Sequence, residues 1–324
     1  MTAISYHDSV NDLQGLDWIA GGPFARLSWF RLLEGSGLSP VIAMARKCDG
    51  AIALPLQRGP SALEPLTNWY AFTWQMLRSG NATGLLPALA RDLAGQTSRI
   101  DLAKLTTDDA KAIATAFRSA GWITFQEPCD VNHILSVAGR NYAEFLAARP
   151  GQVRTTLARK AKKVDVTIST NFDSDAWSDY EAIYAESWKP EEGDPALLRA
   201  FAEQESAAGR YRFAIACHSG APIAAQFWTV DNGTAYIHKL AHRRNCDTLS
   251  PGTTLTAALF EHVINIDKVQ MVDFGTGDDA YKSNWMEQTR IRYRLTCLRP
   301  EALRNWPLIA RNTARKLVSG ARHG

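Results

Sequence analysis

The sequence contains no closely spaced pair of cysteines. Its cysteines are odd in number and far apart, at Cys48, Cys129, Cys217, Cys246 and Cys297. No C-x-x-C pair occurs, so the set argues against both a disulfide framework and a structural zinc site. Thiols of this kind are typical of a reducing compartment, and we therefore expect a cytoplasmic protein.

Long apolar runs are also missing. The N-terminal stretch MTAISYHDSVND has neither the basic region nor the apolar region of a signal peptide. No uncharged apolar run approaches the ~18–20 residues that a membrane-spanning helix requires. The sequence therefore predicts a chain that does not cross a membrane.

Charge of one sign does not dominate either. The chain has 36 Lys and Arg against 33 Asp and Glu, a net charge of +3, so local basic clusters matter more than the total. Its 324 residues are 46% hydrophobic, which is enough for one large or two ordinary domains with their own cores.

Hairpin and helix signals are strongest in the second half of the chain. Three apolar runs between residues 212 and 242 are separated by Ser219-Gly220 and by Asn232-Gly233, both of which favour tight turns. Ser250-Pro251-Gly252 then predicts the start of a helix. The pattern indicates an antiparallel strand series followed by a helix and a further strand at 270–274.

A weak internal repeat suggests two domains. CDGAIALPLQR (48–58) and HSGAPIAAQFW (218–228) share a glycine turn and an alternating strand of small apolar residues. A repeat this long indicates a domain duplication, although any β-hairpin can look similar, and both interpretations stay open. We place the domain boundary near residue 148.

The stretch MVDFGTGDDAYKSNW (271–285) matches the G-x-G-x-x-A pattern of a dinucleotide-binding turn. That pattern needs a full helix, a parallel strand and an acidic residue ~20 positions further on, and too little chain follows for these. A capped short helix explains the aspartates instead. It leaves Tyr281, Lys282 and Trp285 together on neighbouring turns at the end of a strand, where ligand sites form in α/β proteins.

Taken together, these elements resemble the GNAT acetyltransferase superfamily, and more narrowly its FemAB/CelD-like branch. The resemblance is carried by RTTLARKAKK, GAPIAAQFW, AYIHKLAH, LSPGTTLTAALFEH and VDFGTGDDAYKSNW. It covers most of the chain and is strong for residues 150–298. It implies an α/β protein with two GNAT-like domains, each a mixed, mostly antiparallel sheet flanked by helices. We expect these at 1–148 and 149–300, followed by a basic amphipathic tail at 301–324.

The resemblance implies transfer of an acyl group from a thioester to an amine, with acyl-CoA or acetyl-CoA as donor and no metal. The usual Arg/Gln-x-x-Gly-x-Gly/Ala loop of the family is absent, and residues 242–253 stand in its place. A helix N-terminus still offers unpaired N–H groups to a pyrophosphate. The predicted donor-binding residues are Lys239, Leu240, Arg243, Arg244, Gly252, Thr253 and Thr254.

Catalytic roles are assigned to four residues. His238 and Asp278 are rival candidates for the base that takes the amine proton, Tyr281 is a proton donor to the leaving thiolate, and Lys282 holds an anionic group. Each has a structural alternative: a hydrogen-bonded histidine, a helix cap, a packed ring and a solvated lysine. Strand alternation predicts His238 and His242 on one face with Lys239 on the other. Two histidines four residues apart on a strand are poorly placed to bind one metal ion.

Substrate contacts are expected from two parts of the chain. Asn68, Trp69 and Tyr70 come from the first domain, while Gln226 and Trp285 come from the second. The acceptor is expected to be a small-molecule, lipid-linked or sugar-linked amine, such as a cell-envelope polysaccharide or lipid precursor, bound between the two domains.

Two basic segments suggest partners. Residues 150–163 contain Arg154, Arg159, Lys160, Lys162 and Lys163 without interleaved aromatics, which favours a phosphorylated substrate or an acyl carrier protein over nucleic acid. The 301–324 tail either packs on its own domain or contacts an anionic membrane at its inner face.

Three functions stay open at this stage. The first is a thioester-dependent N-acyltransferase of envelope precursors. The second is an aminoacyl-tRNA-dependent transferase, for which a steep salt dependence would be diagnostic. The third is a binding or scaffold protein that has lost donor binding, which the missing loop consensus would permit.

Overall fold

The computed structural model describes residues 2–19, 21–277 and 279–320. The strands are β1 (Ala3–His7), β2 (Pro40–Lys47), β3 (Gly50–Arg58), β4 (Leu63–Pro65), β5 (Leu77–Gly80), β6 (Arg99–Leu105), β7 (Ile123–Ser136), β8 (Asp165–Ser169), β9 (Tyr211–His218), β10 (Ala221–Asp231), β11 (Thr234–His242), β12 (Met271–Thr276) and β13 (Gln288–Leu298). The helices are α1 (Leu27–Gly35), α2 (Leu85–Asp92), α3 (Thr107–Ser119), α4 (Tyr142–Ala147), α5 (Gly151–Lys160), α6 (Ser174–Ala185), α7 (Pro195–Ala207), α8 (Pro251–Asn265), α9 (Ala280–Ser283) and α10 (Trp306–Gly320).

Tertiary contacts divide the chain into two units. Unit 1 combines Met1–Asp130 with Ile291–Gly324, and unit 2 is the continuous segment Val131–Arg290. The border therefore falls at 130 rather than at the expected 148, and the C-terminal segment returns to the first unit. The reason is that the second half of β7 pairs with β12, through Leu135 and Val272 among others.

Unit 1 is built on the strand order β1-β2-β3-β4-β6-β13, with β5 paired to β3. All these pairings are antiparallel except the short β4–β6 pair. The mixed sheet buries apolar side chains such as Leu54, Leu56 and Ile100. Helix α3 begins with a capping Thr106, whose hydroxyl accepts from the Asp109 N–H at 3.1 Å.

Unit 2 follows the order β7-β12-β11-β10-β9-β8. The β11–β12 pair is parallel and its other pairs are antiparallel. The two expected hairpins are confirmed, since Ser219-Gly220 and Asn232-Gly233 all have positive φ, as tight hairpin turns require. Helix α8 begins at Pro251, which confirms the Ser-Pro-Gly start. The expected mixed, mostly antiparallel architecture is therefore confirmed.

Helices cover both faces of the unit 2 sheet. On one face α8 packs against β10 through Phe260 and Trp228, whose rings meet edge to face at 5.2 Å. On the other face α6 and α7 pack against the same strand, where Trp177 and Phe201 contact Phe227. The sheet is thus the central layer of this unit.

The C-terminal tail forms α10, which belongs to unit 1. Ile309 packs with Phe125 and Leu298 in a small apolar cluster. Among the described residues, no helix combines the length and apolar character needed to cross a bilayer.

Candidate active site

Strands β11 and β12 separate after a short paired stretch. Their parallel register runs only from Thr234–Met271 to Tyr236–Asp273, although β11 continues to His242 and β12 to Thr276. The end of β12 is turned by Asp273, whose buried carboxylate accepts from the Asn132 side chain at 2.7 Å and from the Gly275 N–H at 2.8 Å. Residues 237–242 of β11 are therefore not paired with β12.

A β-bulge lies where β11 leaves β12. The register with β10 shifts so that Trp228 opposes Ile237 and Phe227 opposes Lys239, which leaves His238 as the extra residue. A bulge can put two successive side chains on one face. The predicted alternation along β11 is therefore wrong: His238 and Lys239 both contact the α6–α7 layer, whereas Leu240 packs with the α8 cluster.

His238 is held by neighbours on that layer. Its Nε2 lies 2.8 Å from Thr229 Oγ1, and its ring contacts Phe201 at 5.2 Å and Phe227 at 5.0 Å between ring centroids. His242 lies elsewhere, with its ring 4.4 Å from that of Trp188. The two histidines therefore do not share a site, and the described residues contain no group of side chains suited to a metal ion.

Lys239 was expected to bind the donor but instead forms an ion pair. Its ammonium donates to Glu192 Oε1 at 2.8 Å and lies 5.3 Å from the Tyr184 ring centroid. The side chain is only 7% exposed. Burial lowers the pKa of Lys239 to about 8, and the hydrogen bond with Glu192 limits that fall.

Next to this ion pair, α6 and α7 enclose a cavity of about 570 Å³. Its aromatic wall is formed by Trp177, Tyr180 and Tyr184. Its charged groups are Glu181, Glu191, Glu192, Lys189 and Arg199. We call this cavity the α6–α7 pocket.

The charges of the α6–α7 pocket are partly paired. Arg199 contacts Glu181 at 3.3 Å, and the Tyr180 hydroxyl donates to Glu192 Oε2 at 3.4 Å. Burial lowers the pKa of Lys189, and nearby Lys282 adds to this effect. Sequence reasoning missed this pocket, although the linker WKPEEGDP (188–195) carries two prolines and three acidic residues between two helices.

The N-terminus of α8 packs against β11. A Cβ on Gly252 would lie 3.4 Å from Leu240 Cδ2, which is a van der Waals distance, so the first turn of α8 packs directly beside the strand. Ser250, with φ +50°, directly precedes the helix, and its hydroxyl accepts from Lys160 Nζ at 2.9 Å. Thr254 Oγ1 is buried here without a hydrogen-bond partner among the described atoms. The structure thus brings Leu240, Gly252 and Lys160 close to the start of α8, and donor binding by Leu240, Gly252, Thr253 and Thr254 stays a prediction.

Arg243 and Arg244 are engaged elsewhere. Arg243 forms an ion pair with Glu186 and donates from Nε to the Pro222 carbonyl at 3.0 Å. Arg244 Nε donates to the Ser187 carbonyl at 3.1 Å. Both contacts draw these side chains toward the C-terminal end of α6.

Tyr281 joins a hydrogen-bonded chain beneath α8. Its hydroxyl donates to the Gly252 carbonyl at 3.2 Å and lies 3.0 Å from Thr256 Oγ1. Thr256 donates in turn to Gln226 Oε1 at 3.0 Å. Burial raises the pKa of Tyr281 to about 12, so the phenol carries its proton at neutral pH. It is placed to donate a proton close to the α8 N-terminus. The acid role of Tyr281 stays a prediction.

Two predicted substrate contacts are core residues. Gln226 and Trp285 are both fully buried. Gln226 bonds to Thr256, and Trp285 stacks on Phe260 at 5.3 Å with the rings 13° from parallel. Neither side chain presents surface to a ligand in this structure, and their contact with substrate stays a prediction.

The loop after β12 is fixed by its own side chains. Lys282 Nζ donates to the Thr276 carbonyl and lies 5.6 Å from the Phe274 ring centroid. Asp279 caps α9 by accepting from the Tyr281 N–H at 2.8 Å. Asp278, the rival base, lies outside the described residues. The Lys282 side chain therefore stabilises the loop after β12, whereas the sequence analysis expected it to hold an anionic group.

The three predicted contacts from the first half of the chain lie in unit 1. Asn68 Oδ1 accepts from the Tyr70 N–H at 3.1 Å, which forms a local turn. The Trp69 ring is 54% exposed and lies 4.5 Å from the ring of the buried Tyr70. Their participation in a common site with unit 2 stays a prediction.

Part of the chain matches a known protein family. Residues 143–283 match the family model described as acetyltransferase (GNAT) domain. No curated protein matches the sequence significantly. The region of the match contains β11, β12, α8 and the α6–α7 pocket.

Solved structures with similar folds cover nearly the whole chain. A conserved protein of unknown function from Bacteroides thetaiotaomicron has a TM-score of 0.62 at 14% identity, over 91% of this chain and 100% of that one. FemX has a TM-score of 0.62 at 10% identity, over 90% and 96%. The C-terminal domain of a protein assigned as a lysylphosphatidylglycerol synthetase from Agrobacterium fabrum has a TM-score of 0.57 at 11% identity, over 88% and 91%.

At these identities the likenesses establish the fold, whereas the family model identifies the domain. Residues 143–283 match a GNAT acetyltransferase domain, and the chain has the fold seen in FemX and in the Agrobacterium fabrum domain.

Proposed function

We propose that this protein is an N-acyltransferase that moves an acyl group from a CoA thioester to an amine. The observation that carries the proposal is the opening between β11 and β12 beside the glycine-packed start of α8, inside the GNAT match. An open strand edge offers backbone groups to the donor's extended arm. The α8 N-terminus and Lys160 offer positive charge to its phosphates.

The α6–α7 pocket is the acceptor site in this proposal. It lies on the side of β11 to which His238 and Lys239 point, with three carboxylates and an aromatic wall. Such a lining suits a protonated amine on an apolar body, because carboxylates pair with the cation and aromatic rings attract it. Glu192 is the central carboxylate, since it also holds Lys239.

The reaction is a direct transfer. The bound ammonium first loses one proton to solvent. The resulting neutral amine nitrogen attacks the thioester carbonyl carbon, the C–S bond breaks, and CoA leaves as the thiolate. The amine gives up its proton to a base, for which His238 is proposed because it lies on the pocket side of β11. Tyr281, which is protonated at neutral pH, supplies a proton to the thiolate. Positioning of the two reactants contributes the rest of the rate enhancement.

The acceptor we favour is a lipid-linked or sugar-linked amine of the cell envelope. Support comes from the structural neighbour assigned as a lysylphosphatidylglycerol synthetase, which is named for a lipid product. An acyl carrier protein as donor, and peripheral contact of the chain with an anionic membrane, belong to the same proposal. The exposed basic side chains of α5, Arg154 and Arg159, are available to such anionic partners.

A second candidate is transfer from aminoacyl-tRNA. The exposed positive charge of α5 and the adjoining Lys162 and Lys163 favours it, together with the missing donor-loop consensus. Binding to RNA would weaken steeply with salt because phosphate contacts release counterions. Free CoA makes far fewer phosphate contacts than tRNA, so it would not stabilise an aminoacyl-tRNA-dependent transferase.

The deciding experiment is thermal unfolding in the presence of CoA, acetyl-CoA and a long-chain acyl-CoA. A donor at 100 times its dissociation constant stabilises the folded state by about 2.7 kcal/mol, which is visible as a melting shift. A shift with any of the three supports the proposal, and the preferred chain length identifies the donor. Absence of a shift with all three, combined with salt-sensitive tRNA binding, would replace it with the second candidate.

A further inference from the structure

Unit 1 contains a cavity of about 400 Å³ between its sheet and one face of α10. Helix residues Leu308, Arg311, Asn312 and Arg315 line it, at spacings of three and four that share a face. The helix is anchored at its start, where Asn305 Nδ2 donates to the Ser98 carbonyl at 2.8 Å and the Arg299 carbonyl at 2.9 Å. This anchoring fixes which face of α10 lines the cavity.

The sheet contributes cations from the opposite wall. On β13, Arg294 and Thr296 alternate with buried residues and line the cavity. On β6 the register with β13 shifts between Tyr293–Leu105 and Leu295–Leu102. This bulge adds Lys104 to the lining beside Ala103.

Lys104 adopts an uncommon backbone conformation at this bulge. Its φ is +58°, which costs energy for a residue with a side chain and tends to occur at functional sites. Its ammonium donates to the Ala71 carbonyl at 2.7 Å, and burial lowers its pKa. Lys104 thus combines an uncommon backbone conformation with a desolvated ammonium, and it is one of the residues that line the cavity.

Positive charge exceeds negative charge around the cavity. The cationic residues are Arg99, Lys104, Arg294, Arg311 and Arg315, and the acidic residues are Glu64, Asp101 and Glu127. The Arg99–Asp101 pair is close, at 2.5 Å, but Arg294 lies 3.8 Å from Glu127 and both of those side chains are more than half exposed. An exposed pair at that distance contributes little, so Arg294 can be recruited by a ligand at small cost.

We propose that this cavity binds a phosphate or diphosphate group. Arginines that converge from two walls can each offer paired N–H donors to phosphate oxygens, which a lysine-only site cannot do. The volume suits a diphosphate with part of the group attached to it. The same chemistry occurs in soluble phosphorylated molecules and in phospholipid headgroups. The site belongs to unit 1 and does not depend on acyl transfer.

The test is binding of inorganic pyrophosphate to the full chain, measured by calorimetry. Wild type and Arg91→Gln, which removes an exposed arginine on α2, are expected to bind equally well. The double variant Arg311→Gln/Arg315→Gln, and separately Arg294→Gln, are expected to bind at least tenfold more weakly. All four substituted arginines are exposed, so the fold should persist, and melting temperatures without ligand check this.

Two results would overturn the proposal. One is no measurable binding of pyrophosphate by the wild type. The other is binding that is unchanged in the double variant but lost in Lys160→Gln, which would locate the anion at the α8 N-terminus. Vesicles of phosphatidylcholine with and without phosphatidic acid then identify the source. Sedimentation with phosphatidic acid that the double variant loses indicates a lipid headgroup, while pyrophosphate binding without sedimentation indicates a soluble ligand.

Discussion

Lys239 and Glu192 form an ion pair at 2.8 Å whose two side chains are 7% and 11% exposed. The pair joins β11 to the segment between α6 and α7. It exists because a bulge turns Lys239 to the same side as His238. A buried ammonium and a carboxylate therefore meet beside the proposed acceptor pocket.

Stability should depend on pH through Lys239. Its pKa is about 8 in the folded protein and 10.5 ordinarily, so between these values the unfolded chain binds more protons. The free energy of unfolding therefore rises from pH 8 to pH 10.5, and the total gain from this group is at most about 3 kcal/mol. Denaturant unfolding of wild type and Lys239→Met across this range measures it. If the difference between the two proteins does not change with pH, the lysine is not desolvated as described.

Glu192→Gln should impair both stability and acceptor binding. The substitution leaves the Lys239 ammonium buried without its carboxylate, which costs on the order of 3 kcal/mol. It also removes a charge expected to bind the amine, so KM for the acceptor should rise. Glu191→Gln is the matched control, because it removes a neighbouring carboxylate of the same pocket that is exposed. Equal effects of the two substitutions would contradict a special role for Glu192.

Tyr281→Phe should lower kcat by roughly 10²-fold, because it removes the proposed proton donor to the thiolate. Loss of the hydrogen bonds to Gly252 and Thr256 should cost only about 1 kcal/mol of stability. Tyr142→Phe serves as control, since burial also raises the pKa of Tyr142 to about 12. Steady-state kinetics with a tight-binding thioester donor separates the variants. An unchanged kcat would remove Tyr281 from the mechanism.

Gly252→Ala should weaken donor binding about tenfold with little loss of stability. The added methyl group would lie 3.4 Å from Leu240 and narrow the contact between β11 and the start of α8. Alanine favours a helix over glycine by ~1 kcal/mol, and the added methyl group stands at van der Waals distance, so stability should be kept. Gly95→Ala is the control, because a Cβ there meets open space. The measurement is the CoA-induced melting shift, and an equal shift in both variants would place the donor elsewhere.

The resemblance and the fold class were accessible from the sequence because their signals are local. The turns at Ser219-Gly220 and Asn232-Gly233 need only φ preferences, and the start of α8 needs only a proline in the first turn. The cap of α9 needs an aspartate two residues before Tyr281. Interactions of this kind involve residues within a few positions of each other, so their patterns survive in the sequence.

The arrangement of the site depended on pairings between distant segments. A one-residue register shift between β10 and β11 changed the faces of His238 and Lys239, and no local pattern marks it. Glu192 reaches Lys239 across 47 positions, and Trp285 is buried by Phe260 from another helix. The local sequence patterns were enough to predict the fold class, the hairpin turns and the start of α8. Which side chains face the pocket depends on contacts between distant segments, because side-chain direction follows from strand register and packing rather than from neighbours along the chain.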